Sequence, residues 1–115
     1  MQWALIVLAV AAFGGLGLAA IRLKGAPHPP TWMALGHGTI AAIGLGLLIY
    51  AALTTSLPTI ALVALGCLIL AALGGVTLFA GFHLQGKALP IPLVIGHGLI
   101  AITGVILLLL AVVRP

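Results

Sequence analysis

The chain has 115 residues, 64% hydrophobic and only 3% charged, whereas roughly a quarter of the residues in soluble domains are charged. It contains no Asp or Glu, which excludes carboxylate acid–base catalysis, carboxylate-coupled proton transport and oxygen-ligand sites for Mg²⁺ or Ca²⁺. The net charge of +4 comes from Arg22, Lys24, Lys87 and Arg114 alone, too sparse for a nucleic-acid surface and suited to the edges of a membrane.

Four apolar runs reach the length of about 20 residues that a bilayer crossing requires. The first spans Gln2 to Ile21. It lacks a charged leader and is longer than a signal-peptide core, so it is expected to remain as a membrane span. Arg22 to Pro30 stops it with two charges, Gly25 and three prolines. The second run, Thr31 to Leu53, ends at the hydroxyls and proline of Thr54 to Pro58. The third, Leu57 to Phe82, gives way to Gln85 to Pro92, and the fourth covers Pro90 to Val113. Pro30 and Pro90 fall at the first turns of the second and fourth runs, where a missing amide proton costs nothing. Backbone groups in hydrocarbon must bond internally, so all four runs are expected to be helices.

A single shift of 60 residues aligns the two halves without a gap. It places Ala11, Gly14, Gly15, Pro30, Gly44 and Leu48 on Ala71, Gly74, Gly75, Pro90, Gly104 and Leu108. The expected architecture is therefore an all-α integral membrane protein: one four-transmembrane-helix up-down bundle built from two tandem two-helix repeats, 1–55 and 56–115. Both repeats insert the same way up, so their symmetry axis runs along the membrane normal. The positive charges put loops 22–30 and 84–89 in the cytoplasm and both termini outside, with a bacterial inner membrane as the expected setting. Small-xxx-small pairs, Ala11 with Gly15 and Ala71 with Gly75, mark faces where helices approach closely.

The same shift lays Gly36-His37-Gly38 on Gly96-His97-Gly98. A pseudo-two-fold axis carries two equivalent imidazoles to one depth, and spans two and four are diagonal in a simple bundle. Below each histidine, at steps of four and seven, lie Ala41 and Gly44, and Ala101 and Gly104. These small residues, with Gly36, Gly38, Gly96 and Gly98 beside the rings, are expected to clear a trough for a flat macrocycle. A ligating imidazole also needs a partner for its second nitrogen. Without carboxylates, carbonyls one turn back, near Met33 and Leu93, are expected to serve. Cys67 is the sole cysteine and lies mid-span, which removes intrachain disulfides, zinc knuckles and thioether haem attachment. Free zinc or copper would want three or four ligands from the protein, and no cysteine pair or carboxylate is available to complete such a site.

Gly36-His37-Gly38 with Gly44, and Gly96-His97-Gly98 with Gly104, resemble the membrane b-type cytochromes, in which histidines on diagonal helices hold haem inside a four-helix bundle. The resemblance covers all four spans at the level of architecture. It implies one haem b with His37 and His97 as iron ligands, an electron-transfer role, other membrane or redox subunits as partners, and a quinone near the propionate edge by His83 and Lys87. Larger members of that type carry two haems, but this chain offers no second pair at the opposite end.

His83 breaks the repeat, its counterpart being Leu23. It is read in three ways: a replacement ligand for His37, a donor to a propionate or quinone oxygen, or an ordinary interfacial histidine. His28 is read as a loop residue. The histidine pair itself has a simpler reading, since imidazoles stabilise membrane bundles by bonding across helices. That reading makes the chain a cofactor-free accessory or anchoring subunit of a larger membrane complex, which its compact loops and small extramembrane surface fit; a homo-oligomer is a further candidate assembly. Four short spans also resemble small multidrug transporters, whose coupling glutamate this chain lacks.

Overall fold

A computed structural model describes residues 1–114. It is all-α among those residues: α1 (Gln2–Leu23), α2 (Thr31–Thr54), α3 (Thr59–Leu78) and α4 (Ile91–Val113), with α3 running on into a single π turn, Phe79–His83. All four helices are long and apolar enough to cross a membrane. The expected spans match these helices to within a few residues at each end. The molecule measures 43 × 19 × 18 Å, so its long axis matches the thickness of a bilayer including headgroups, about 40–45 Å.

Proline precedes three of the helices. Pro30, Pro58 and Pro90 occupy the N-cap positions of α2, α3 and α4. Their carbonyls accept the first helical bonds, from Ala34, Leu62 and Val94. No side chain caps any of the four starts, so proline's fixed φ sets the entry geometry.

The helices form a square. α1 packs most extensively on α2 and α3 on α4; α1 meets α4, and α2 meets α3, over smaller areas. The bundle is thus two tight hairpins joined along looser seams, with α2 and α4 diagonal. The core repeats with the sequence: Ala4, Leu8 and Leu48 are buried, as are Ala64, Leu68 and Leu108. Close approach is secured by Gly44 and Gly104. A Cβ at Gly44 would stand 2.6 Å from Cγ of Leu8, and one at Gly104 would stand 2.7 Å from Cγ of Leu68. In lipid the gain comes from packing and not from expelling water, so such glycines govern helix association.

The outer surface suits hydrocarbon. Phe13, Leu53, Leu73 and Val76 are exposed, and so are Trp3, Trp32 and Tyr50 near the helix ends, where amphipathic rings meet headgroups. Exposed Thr77 and Thr103 donate their hydroxyls to the carbonyls of Leu73 and Leu99 one turn back, which satisfies the polar group in an apolar setting.

The two repeats differ at one point. In the π turn the Leu84 amide bonds the Phe79 carbonyl at 2.8 Å, five residues back, so one extra residue is inserted into α3. The left-handed glycines that end α1 and α3 are Gly25 and Gly86, 61 positions apart where the sequence repeat is 60. A loop shorter by one residue then restores the register at Pro90. Structurally, His83 therefore takes the place of Arg22, not that of Leu23, its partner in the sequence alignment.

Candidate functional site

His37 and His97 meet across the seam between the hairpins, with ring centres 6.3 Å apart and planes at 89°. Nδ1 of His37 donates to the carbonyl of Ala11 at 2.8 Å, and Nδ1 of His97 donates to that of Ala71 at 2.7 Å. A carbonyl only accepts, so these bonds fix the proton on Nδ1 of the neutral ring and leave Nε2 with its lone pair.

The carbonyl partners lie on the preceding helix of each hairpin. They are not the expected carbonyls near Met33 and Leu93, one turn back on the histidine's own helix. The reason is local. Each Cα–Cβ bond tilts toward the helix N-terminus, so residues three and four positions on lean over a given carbonyl. For Ala11 those residues are Gly14 and Gly15, and for Ala71 they are Gly74 and Gly75. With no side chains there, the carbonyl is open sideways. The ring fits the opening closely: a Cβ at Gly15 would lie 2.9 Å from Cε1 of His37, and one at Gly75 would lie 3.1 Å from Cε1 of His97. These glycines hold the rings, and the double-glycine pattern after Ala11 and Ala71 was the sequence signal for them.

The other small residues fall elsewhere. Gly44 and Gly104 lie under Leu8 and Leu68, so the expected trough below the histidines is filled by the neighbouring helix. Ala41 and Ala101 are half-buried on the same faces. Gly36, Gly38, Gly96 and Gly98 have nothing within 4 Å of a built Cβ, so they open no space against another helix. Lys87 is exposed in the α3–α4 loop, at the same end of the bundle as the His37–His97 pair.

His83 is 6% exposed. Its Nε2 lies 2.9 Å from Oγ1 of Thr31, and its ring sits 4.6 Å from that of His28 and 5.2 Å from that of Phe79. Thr31 begins α2 and His37 lies six residues further, about 9 Å along the axis at 1.5 Å per residue. His83 is thus nearer the loops than the histidine pair. Beside it the two loops are joined: the Leu89 amide donates to the Pro27 carbonyl at 2.9 Å, and Nε of Arg22 donates to the Leu89 carbonyl at 2.8 Å.

The donor chemistry at His37 and His97 fits a bis-imidazole metal centre. With metal–nitrogen bonds of about 2 Å, two imidazoles bound on opposite sides of one ion have ring centres about 6 Å apart. Among the described residues no group of three or more His, Cys, Asp or Glu side chains gathers at one point, so an ion at this pair would need its other ligands from a macrocycle. No family model, curated protein or solved structure matches the chain.

Proposed function

We propose that this chain is a small integral membrane haem b electron-transfer protein, with one haem held between the hairpins by His37 and His97. The observation that carries this reading is the matched pair of imidazoles, each with Nδ1 bonded to a backbone carbonyl, Nε2 uncommitted, and ring centres at the trans spacing. When bound, haem iron supplies a reversible one-electron couple, Fe(III)/Fe(II).

The chain's own part is positional. The Ala11 and Ala71 carbonyls orient the rings and raise the donor strength of Nε2. His37 and His97 would both be used in holding the iron, and a haem held by two histidines would supply outer-sphere electron transfer rather than oxygen binding. The apolar helices keep water from the centre. Arg22 and Lys87, at the loop end nearer the histidines, suit pairing with propionates there. Electrons would pass to a redox subunit or a membrane quinone at that edge, beside His83. On the charge distribution that end faces the cytoplasm.

The test is a reduced-minus-oxidised visible spectrum of the purified membrane protein. Haem b absorption bands are expected in the wild type and lost in His97→Ala. Colourless protein from haem-replete cells would overturn the proposal. It would leave a second reading, favoured by the fact that each histidine bond also ties α2 to α1, or α4 to α3: a cofactor-free anchoring subunit whose imidazoles stitch its hairpins.

A further inference from the structure

The chain has no Asp or Glu side chain to neutralise its cations. Of its four Lys and Arg residues, Arg22, Lys24 and Lys87 lie at one end of the bundle. Arg22 belongs to the last turn of α1, Lys24 is the C-cap of that helix, and Lys87 lies in the α3–α4 loop. The bond from Nε of Arg22 to the Leu89 carbonyl, 2.8 Å, joins the two stretches of chain that carry them. Lys24 is two residues from one side of that bond and Lys87 two residues from the other, so each Cα lies within about 7 Å of the Arg22 or Leu89 Cα. The Leu89 amide, bonded to the Pro27 carbonyl at 2.9 Å, pins the same junction. Arg22 is half-buried and held, whereas Lys24 and Lys87 are exposed.

We propose that Arg22, Lys24 and Lys87 hold the phosphodiester of one anionic phospholipid at the junction of the two loops. Nε takes up one of the five guanidinium donors of Arg22, and the chain has no carboxylate side chain to accept from the rest. A phosphate suits them, since its oxygens accept parallel N–H bonds from the planar fork. The level is that of a headgroup. Trp32, 75% exposed, is the second residue of α2 at this end, and such rings sit among headgroups in a bilayer. Sign decides which lipid. A zwitterionic headgroup carries an ammonium and adds a fourth cation to a cluster without carboxylates, whereas a headgroup whose only charge is its phosphodiester lowers the charge of the cluster. One phosphate reaching both loops would tie the α1–α2 hairpin to the α3–α4 hairpin. The proposal is independent of the haem reading, although haem propionates would compete for the same cations.

Phosphatidylglycerol and phosphatidylcholine are titrated separately into the full chain in neutral detergent, and bound lipid is counted by native mass spectrometry. We expect one phosphatidylglycerol per chain, held about tenfold more tightly than phosphatidylcholine. Lys24→Gln and Lys87→Gln, both at exposed positions where the bundle is left undisturbed, should each weaken it about fivefold, and Arg22→Gln more. Arg114→Gln, beyond the far end of α4, is the control and should change nothing. The series is repeated on His97→Ala, which on the haem proposal carries no propionates. Phosphatidylglycerol should bind that variant at least as tightly as it binds the wild type, so loss of haem and loss of lipid are separate results. Equal retention of the two lipids, or a site unchanged when Lys24→Gln and Lys87→Gln are combined, would overturn the proposal. So would displacement of the lipid by an equal concentration of inorganic phosphate, which would make the ligand a free anion.

Discussion

Gly15 lies beneath His37 so closely that a Cβ there would meet Cε1 at 2.9 Å, and a Cβ at Gly75 would meet Cε1 of His97 at 3.1 Å. Both separations are tighter than ordinary contact, and the atom met belongs to a short, stiff ring hydrogen-bonded to the next helix. Gly15→Ala must therefore push the imidazole off the Ala11 carbonyl. We expect it to destabilise the bundle by about 1–3 kcal/mol, the usual cost of overpacking, and, on the haem proposal, to lower the haem content of the purified protein. Gly75→Ala should do the same less severely. Gly36→Ala, with open space around it, is the control and should leave both measurements unchanged.

Gly44 and Gly104 serve a different purpose, and their variants should separate packing from ligation. Adding a methyl group at Gly44 drives into Leu8, and at Gly104 into Leu68. Thermal unfolding in detergent should show Gly44→Ala destabilised by about 1–3 kcal/mol. Combining it with Leu8→Ala should recover part of that loss, giving a coupling energy of about 1 kcal/mol in a double-mutant cycle. On the haem proposal, the absorption maxima of the folded fraction should not move. Strictly additive effects would mean that the two residues do not meet.

The perpendicular rings predict a spectroscopic signature. Nδ1 bonds to Ala11 and Ala71 fix the plane of each imidazole, and those planes cross at 89°. On the haem proposal, imidazoles held in perpendicular planes would leave the two π-interacting iron orbitals nearly equal in energy, and low-spin Fe(III) would be strongly anisotropic. Frozen oxidised protein should show one large g value and poorly resolved others. A rhombic spectrum with three well-separated g values would mean parallel rings and would contradict this geometry.

Much of the architecture is legible in the sequence because membrane helices are specified by few rules: apolar length sets the spans, and proline, glycine and charge end them. The histidine pair is equally visible, as Gly36-His37-Gly38 and Gly96-His97-Gly98 stand out against an apolar background. The partner carbonyls were less accessible to sequence reasoning. Which helix offers a carbonyl depends on its neighbour's rotation, and the small residues below His37 and His97 look the same whether a ligand or a leucine fills the space. Gly14-Gly15 and Gly74-Gly75 carried the clue, since paired glycines after an alanine unroof that alanine's carbonyl. The π turn was hidden for another reason. Its extra residue is offset by a shorter loop, so the 60-residue alignment passes over it without a gap.

That compensation leads to a deletion experiment. A π turn made by inserting one residue leaves the residues beyond it in phase with the helix before it. Removing Gly81, which is exposed and touches only the methyl group of Thr77 within 4 Å of a built Cβ, should convert Phe79–His83 to regular α-helix. His83 should then keep its bond to Thr31, with thermal stability unchanged or raised because the five-residue bond from Leu84 to Phe79 is replaced by better-formed four-residue bonds. Removing Gly66 from the middle of α3 has the opposite consequence. Every residue on one side of the deletion turns by about 100° relative to the other, so Ala61 and Ala64 can no longer face the core while Leu68 and Ala71 do. We expect the Gly66 deletion not to fold and the Gly81 deletion to fold normally. If both fail, the π turn is integral to the bundle and not an insertion within it.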